Sequence, residues 1–404
     1  MIKKLIVKNF KSLKDFECDF SEISVLAGPN MSGKSNIIDA LAFITESVNI
    51  GYIAAIQNRN GYWEIKWKGK KTQEINDYAQ PEPISFFIEG DIYLQKYRKN
   101  FDFTYLFELS ADNYGNPFIQ KEELNIGGQA IIEASQNKAR YKQGLEETEQ
   151  FKDINLMNQL TLQTVNISNG ISFDVRLFFF RIANSFYTLE PPSMKNTQNI
   201  SSFQQFLFRN GSNLSSWLLT LQTKYPENFT MLINAIRNIL PDVKNIFANI
   251  TKSTTVYLSS KENNIDGDIN LFNMSDGEIK LIGLLSLIFA PLELTPPFIA
   301  VEEPENYLHP GILKDIMEML RSVRRNYKKQ IEGNAGITLE LAQVLITTHS
   351  LVLIDNFYIE ELIIVKKEQG ETIVIYPKDD DDMKKLIEDK EIGLGSLYFS
   401  GALK

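Results

Sequence analysis

Gly28-Pro29-Asn30-Met31-Ser32-Gly33-Lys34-Ser35 matches the phosphate-loop pattern G-x-x-x-x-G-K-[ST] at each fixed position. Before it, Ile23-Ser24-Val25-Leu26-Ala27 is a short, mostly apolar run of the kind that forms a buried strand. After it, Ile37, Ile38, Leu41 and Ile44 recur at helical spacing. Strand, glycine loop and helix in that order is the context the pattern requires. Glycines let backbone N–H groups wrap a phosphate, and the helix N-terminus adds partial positive charge. Lys34 is placed to neutralise the β- and γ-phosphates, and Ser35 to offer its hydroxyl to Mg²⁺. Asn30, Ser32 and Gly33 belong to the same nucleotide-binding set. A chance glycine turn ahead of a helix is the plain alternative, and the flanking context disfavours it.

A second group of motifs lies near the other end of the chain. Phe298-Ile299-Ala300-Val301 is a continuous apolar run, as expected of a parallel strand covered on both faces. It ends in Glu302-Glu303-Pro304-Glu305, where doubly wound sheets place their ligands. The first glutamate can hold Mg²⁺ and the second can polarise an attacking water. A solvated acidic turn is the alternative, but a buried strand should not end in carboxylates without a counter-ion. The chain has two histidines, His309 and His349. His349 ends the next apolar strand, Val344 to Thr347, and is the better placed to touch a γ-phosphate or the attacking water. Met274-Ser275-Asp276-Gly277-Glu278 reads as a helix start with acidic residues favoured by the dipole.

At 404 residues, the length suggests two lobes. The 43% hydrophobic content supports a large core, and a net charge of −9 argues against a generally basic nucleic-acid coat. One cysteine, Cys18, allows neither an internal disulfide nor a cysteine-based zinc site, which fits a reducing cytoplasm. No signal peptide is visible, because Lys8 interrupts the apolar run Leu5-Ile6-Val7. The longest apolar stretch, Leu281 to Leu292, contains Pro291 and is too short for a bilayer, so it reads as a buried helix and no membrane role is expected.

Between the motif groups, strands are expected at Ile2–Val7, Phe16–Phe20, Ile84–Ile88, Tyr93–Tyr97 and Phe101–Leu109, the last three in an antiparallel sheet. Gln143 to Gly170 is polar and irregular. Helices are expected over Ile171–Tyr187, with Phe178-Phe179-Phe180 filling a core, over Leu214–Leu221 with Ser212 as cap, and over Glu227–Leu240. Pro191-Pro192 reads as a chain break, and Thr254–Ser259 as a strand. Later, Pro310 opens a helix with Ile312, Ile316, Leu320 and Val323 as its stripe, and strands follow at Leu362–Val365 and Thr372–Ile375.

The ordered set of phosphate loop, Ser-x-Gly-Glu before a helix, strand ending in Glu-Glu-Pro and strand ending in His resembles the ABC-type ATPase heads of the SMC, RecF and overcoming-lysogenization-defect (OLD) families. Within these it looks most like stand-alone bacterial AAA-family ATP-binding proteins. Met274 to Glu278 and Val301 to Pro310 are the strings most characteristic of that group. The resemblance covers residues 1–50 and 270–366 well. It implies an α/β fold, an ABC-type P-loop head over 1–60 and 250–404, with an antiparallel β lobe and helical insertion over 61–249 that senses a partner or ligand.

By position the resemblance assigns the Walker B acid to Glu302, the catalytic glutamate to Glu303 and the switch histidine to His349. It puts Ser275 and Gly277 on the signature loop, Asn306 to His309 on the D-loop, and Lys11 near the nucleotide. Asp276 departs from the usual signature glycine, and Gln57 is only a candidate for the Q-loop. It implies ATP and Mg²⁺ as ligands and a homodimer with two ATP at its interface, because the signature loop reaches the partner's nucleotide. OLD-type proteins carry a Toprim nuclease after the head; 38 residues follow Lys366, too few for that domain, so a separate nuclease or Toprim-like effector is expected. Asp379 to Asp382 reads as a solvated charge run. A DNA-related role in repair or phage defence is the leading expectation. An ABC transporter ATPase subunit, or an ATP-gated regulatory switch with little turnover, is the alternative. Arg321, Arg324, Arg325, Lys328 and Lys329 form one basic cluster, readable as helix C-terminal cations or as a DNA contact.

Overall fold

The computed structural model describes residues 1–69, 82–136, 138–146, 149–155, 159–165, 170–196, 198–199, 203–252, 254–333, 342–380 and 393–399. These fall into two compact units, Met1–Ala183 with Glu360–Asp380, and Asn184–Ile359 with Asp381–Lys404.

The first unit opens with an antiparallel hairpin, β1 (Ile2–Phe10) and β2 (Leu13–Asp19). β3 (Ile23–Ala27) is buried at every position, as its apolar run predicts. α1 (Lys34–Glu46) buries Ile37, Ile38, Leu41 and Ile44. It runs on through a π-helical turn, Ser47–Gly51, into α2 (Tyr52–Gln57), and α3 (Tyr62–Ile65) follows. That continuation makes Lys34–Gln57 long and apolar enough to cross a bilayer, which the sequence reading, looking to Leu281–Leu292, did not anticipate. In the fold it is a core helix, with 61% of its apolar window buried.

β4 (Ile84–Leu94), β5 (Lys99–Ala111), β6 (Pro117–Ile126), β7 (Gln129–Ser135), β8 (Lys138–Tyr141) and β9 (Lys152–Asn155) continue the hairpin into one antiparallel sheet, ordered β2-β1-β4-β5-β6-β7-β8-β9. The two short strands expected at Ile84–Ile88 and Tyr93–Tyr97 are instead a single strand ending at Leu94. Gly90 in its middle is not a break. A Cβ there would lie 2.1 Å from the Met1 carbonyl oxygen, so glycine admits the close approach of the N-terminus at an irregularity in the β1–β4 register. The inner sheet face is aromatic. Phe43 of α1 stacks on Phe86 at 5.0 Å, and Phe86 on Phe107 at 5.1 Å.

α4 (Thr161–Thr164) and β9 give structure to the stretch read as irregular. Buried Glu122 ties α4 to the sheet, accepting from the Tyr105 hydroxyl and from the N–H groups of Thr161 and Leu162. α5 (Ile171–Ala183) packs Phe178 and Phe179 against Phe103, but Phe180 is half exposed, so the triplet is not all core.

The second unit begins with β10 (Phe186–Tyr187), which pairs in parallel with a later strand, so the helix expected to reach Tyr187 stops at Ala183. Pro191 and Pro192 do not break the chain there. They open α6 (Pro191–Met194), where the missing N–H groups would be unpaired in any case. β11 (Gln198–Asn199) follows, then α7 (Leu214–Lys224), preceded by Asn213 rather than Ser212. The Asn213 side chain accepts from the Phe208 N–H and so braces the loop before the helix.

α8 (Pro226–Ile239) leads to β12 (Val243–Ile250) and β13 (Thr255–Glu262), an antiparallel pair whose first strand the sequence reading missed. β14 (Asp268–Asn270) adds to β13. α9 (Asp276–Ile288) is buried almost all round and packs with Trp217, Leu218 and Leu258 in one core. β15 (Phe298–Glu302), α10 (Pro310–Gly333), β16 (Gln343–Thr348) and α11 (Leu351–Ile354) complete the unit, with β10, β15 and β16 parallel and side by side. The chain then returns to the first unit. β17 (Leu362–Glu368) pairs in parallel with β3 and antiparallel with β18 (Glu371–Ile375).

Candidate functional site

In the first unit the loop Gly28–Ser35 joins β3 to α1. Met31 and Gly33 take left-handed φ values of 67° and 108°, a geometry that folds successive N–H groups toward one concave face. The glycines are sterically required. A Cβ on Gly28 would lie 2.4 Å from the Val365 carbonyl oxygen, and one on Gly33 would lie 2.0 Å from Thr372 Oγ1. Lys34 is buried, and its ammonium donates to the Gly28 and Pro29 carbonyl oxygens at 2.7 and 3.0 Å. Ser32 Oγ is buried without a hydrogen-bond partner, while Asn30, Met31 and Ser35 are exposed. A buried cation beside an unsatisfied hydroxyl in a glycine cradle fits a polyphosphate.

The turn Lys11-Ser12 braces this loop. Lys11 Nζ pairs with Asp39 Oδ2 of α1 at 2.6 Å, and Arg59 binds the same carboxylate at 2.7 Å. Burial works against the Asp39 charge, but Arg59 and Lys11 outweigh it and hold the carboxyl below its usual range. Ser12 Oγ accepts from the Asn36 amide at 2.6 Å and bonds Thr372 Oγ1 at 2.6 Å, and Thr372 Oγ1 donates to the Ser32 carbonyl oxygen at 3.1 Å. Sequence reasoning singled out Lys11, which here pairs with Asp39, and gave no role to Ser12 or Thr372, which are 360 residues apart. Gln57 lies exposed at the end of α2.

In the second unit the acidic and histidine motifs come together, because β15 and β16 are adjacent parallel strands with Glu302 opposite Thr347. Glu302 Oε1 accepts from the Thr188 hydroxyl at 3.1 Å and from Arg209 at 3.2 Å. Glu303 sits at φ 43°, left-handed for a non-glycine residue. Its N–H donates to the Thr347 carbonyl oxygen at 3.0 Å. Its carboxylate lies between the Asn306 amide, 2.9 Å from Oε2, and His349 Nδ1, 3.4 Å from Oε1. Thr188, Arg209 and Glu305 are the residues here to which the sequence reading gave no role, whereas it places Asn306 on the D-loop. For Glu305 the signal lay in its place within the Glu-Glu-Pro-Glu-Asn string.

Ser275 caps α9 in a capping box. Its hydroxyl accepts from the Glu278 N–H at 3.2 Å, and Glu278 Oε2 accepts from the Ser275 N–H at 2.6 Å. Asp276, where a signature glycine is usual, pairs with Lys195 at 2.8 Å. A Cβ on Gly277 would lie 2.8 Å from the Tyr307 carbonyl oxygen, so glycine lets the first turn of α9 pack on the loop that follows Glu303. Within the basic cluster, Arg321 donates to the Asn356 carbonyl oxygen and Arg324 to that of Ala342, so both serve the fold; Arg325, Lys328 and Lys329 are exposed. Asp379 ends a short turn, and Asp381 and Asp382 lie outside the described residues.

Two solved structures share the fold. One is an SMC head bound to the C-terminal winged-helix domain of ScpA. It is 13% identical, covers 93% of this chain and 96% of its own, and has a TM-score of 0.56. The other is an SMC head with an extended coiled coil bound to the C-terminal domain of ScpA, derived from Pyrococcus furiosus. It is 13% identical, covers 96% and 99%, and has a TM-score of 0.51. The architecture is therefore that of an ABC-type P-loop ATPase head. No curated protein matches the sequence. Residues 23–355 match the family described as "AAA domain, putative AbiEii toxin, Type IV TA system", and the chain belongs to that family.

Proposed function

We propose that the chain is an ATPase that works as an ABC-type switch. The observation that carries this reading is the Glu303 carboxylate, held between Asn306 and His349 at the ends of two parallel strands. In this reading the loop Gly28–Ser35 binds the ATP phosphates. Lys34 neutralises them, and Asn30, Ser32 and Gly33 line the loop. Ser35 and Glu302 would hold Mg²⁺, which screens phosphate charge when bound. Glu303 accepts the proton of the attacking water, and His349 steadies the charge that develops opposite it. Lys11 contributes through Asp39 on the helix that follows the loop.

Ser275 and Gly277 act on the nucleotide of a second copy, so the working form is a homodimer around two ATP, which hydrolysis releases. The switch drives or licenses a DNA-related process in repair or phage defence, in the manner of the OLD-like group. A separate nuclease or Toprim-like effector docks on the lobe of residues 61–249. The family membership and the Ser275 capping box support this reading. A cytoplasmic location follows from it.

The shared site is tested by mixing two variants. Ser275→Arg and Lys34→Ala should each reduce turnover to background. A mixed dimer joins the intact phosphate loop of one chain to the intact signature turn of the other, so an equimolar mixture should recover about a quarter of wild-type activity. No recovery in a sample shown by mass photometry to contain dimers of both variants would sink the dimer reading.

A further inference from the structure

Glu305 has no role in the chemistry just described, yet it is the most buried carboxylate of its cluster, with a side chain 8% exposed. Its Oε1 accepts from the Thr348 hydroxyl at 2.6 Å and from the His349 backbone N–H at 3.2 Å. The same Thr348 oxygen accepts from the Ser350 N–H at 2.9 Å, and the Ser350 hydroxyl accepts from the Leu353 N–H at 3.3 Å. One carboxylate oxygen thus anchors the end of β16 and the start of α11. Oε2 is buried with no hydrogen-bond partner. A half-satisfied buried carboxylate is costly, and an apolar side chain would fill the same space at less expense. The carboxylate also acts at a distance. With Glu303 and Glu190 it opposes the loss of charge that burial imposes on Lys280 of α9, whose ammonium donates to the Leu189 carbonyl oxygen at 2.9 Å.

The backbone around it is held under tension. Glu303 at φ 43° and Tyr307 at φ 70° bracket the residues between them, and neither is a glycine. Such a loop keeps its shape only if its surroundings fix it. We propose that Glu305 is a positioning residue, which fixes the end of β16 so that His349 Nδ1 stands beside the Glu303 carboxylate. The proposal rests on reading Glu303 and His349 as the pair that acts on the attacking water.

The test exploits the two histidines of the chain. In protein labelled with ¹³C at histidine Cε1, the His309→Gln variant assigns both ring signals. Glu305→Gln keeps an acceptor oxygen for Thr348 and His349 but removes the negative charge 3.8 Å from His349 Nδ1, so the His349 signal should move far less than in Glu305→Ala and kcat should remain within about threefold of wild type. Glu305→Ala removes the acceptor as well. The His349 signal should shift or broaden, and kcat should fall about 30- to 100-fold, while the Kd for ATP changes less than about threefold. An unmoved His349 signal with wild-type kcat in Glu305→Ala overturns the proposal. So does a parallel loss of kcat, ATP affinity and melting temperature in both variants, which would mark a purely structural side chain. If the wild-type protein does not hydrolyse ATP, the catalytic reading fails, and the His349 signal still decides whether Glu305 positions the ring.

Discussion

In the loop Gly28–Ser35 the fixed atoms are mainly backbone, whereas at the ends of β15 and β16 they are side chains gripping one another. The loop has its shape because Gly28 and Gly33 alone fit between Val365 and Thr372. The acidic cluster has its shape because Asn306, Thr188, Arg209 and Thr348 hold three neighbouring glutamates at hydrogen-bond distance. A site made of backbone tolerates almost no change in its glycines. A cluster made of side chains is adjustable, and its shape depends on each of those contacts.

The sharpest way to break this comparison is Glu303→Gln. The amide keeps the shape and the Asn306 contact but cannot take a proton. Turnover should fall about a thousandfold while nucleotide affinity stays within a few-fold, and the variant should run as an ATP-bound dimer in size-exclusion chromatography. Normal hydrolysis would show that the grip on Glu303 serves something other than catalysis.

Gly33→Ala probes the other region. A methyl at φ 108° and 2.0 Å from Thr372 Oγ1 should cost about 2–4 kcal/mol in denaturant unfolding of the first unit. Thr372→Ala added to it should restore the part due to the clash and leave the part due to the backbone. Full restoration would mean that space alone, and not conformation, selects glycine.

The smallest effect concerns Lys280, whose ammonium burial pushes down to about 8 from 10.5. Below about pH 8 both folded and unfolded chains carry the proton, and the cost of the buried charge is constant. Above it the folded chain sheds a proton that the unfolded chain keeps, so folding becomes more favourable as pH rises toward 10.5. Wild type should therefore gain about 2 kcal/mol relative to Lys280→Met between pH 7.5 and 9.5. Parallel stability curves would mean that Glu305, Glu303 and Glu190 offset the effect of burial on Lys280 in full.

The same contrast explains what could be read from the sequence. The phosphate loop was legible because its constraint is local, with glycines, lysine and serine at fixed spacing between a strand and a helix. The acidic strand end and His349 were legible because each closes a continuous apolar run. Their supports were not. Thr188 and Arg209 reach Glu302 from 114 and 93 residues away, and no spacing announces such a contact. Strand ends failed for a related reason. Gly90 looks like a stop in β4 until the approach of Met1 explains it. Pro191 and Pro192 punctuate a loop in sequence but begin a helix in space.

The hairpin of β1 and β2 forms the edge of the sheet that continues through β4 to β9. Its turn carries Lys11 and Ser12, which meet Asp39, Asn36 and Thr372. The lobe is therefore not an appendage that can be cut away. Removing β4 would strip β1 of the partner that pairs Leu5 with Ile88 and Val7 with Phe86, leaving a row of unpaired backbone N–H and C=O groups along that side of β1. Sequence change in the far strands, β8 and β9, leaves that edge untouched, so the sheet has room to vary at that end.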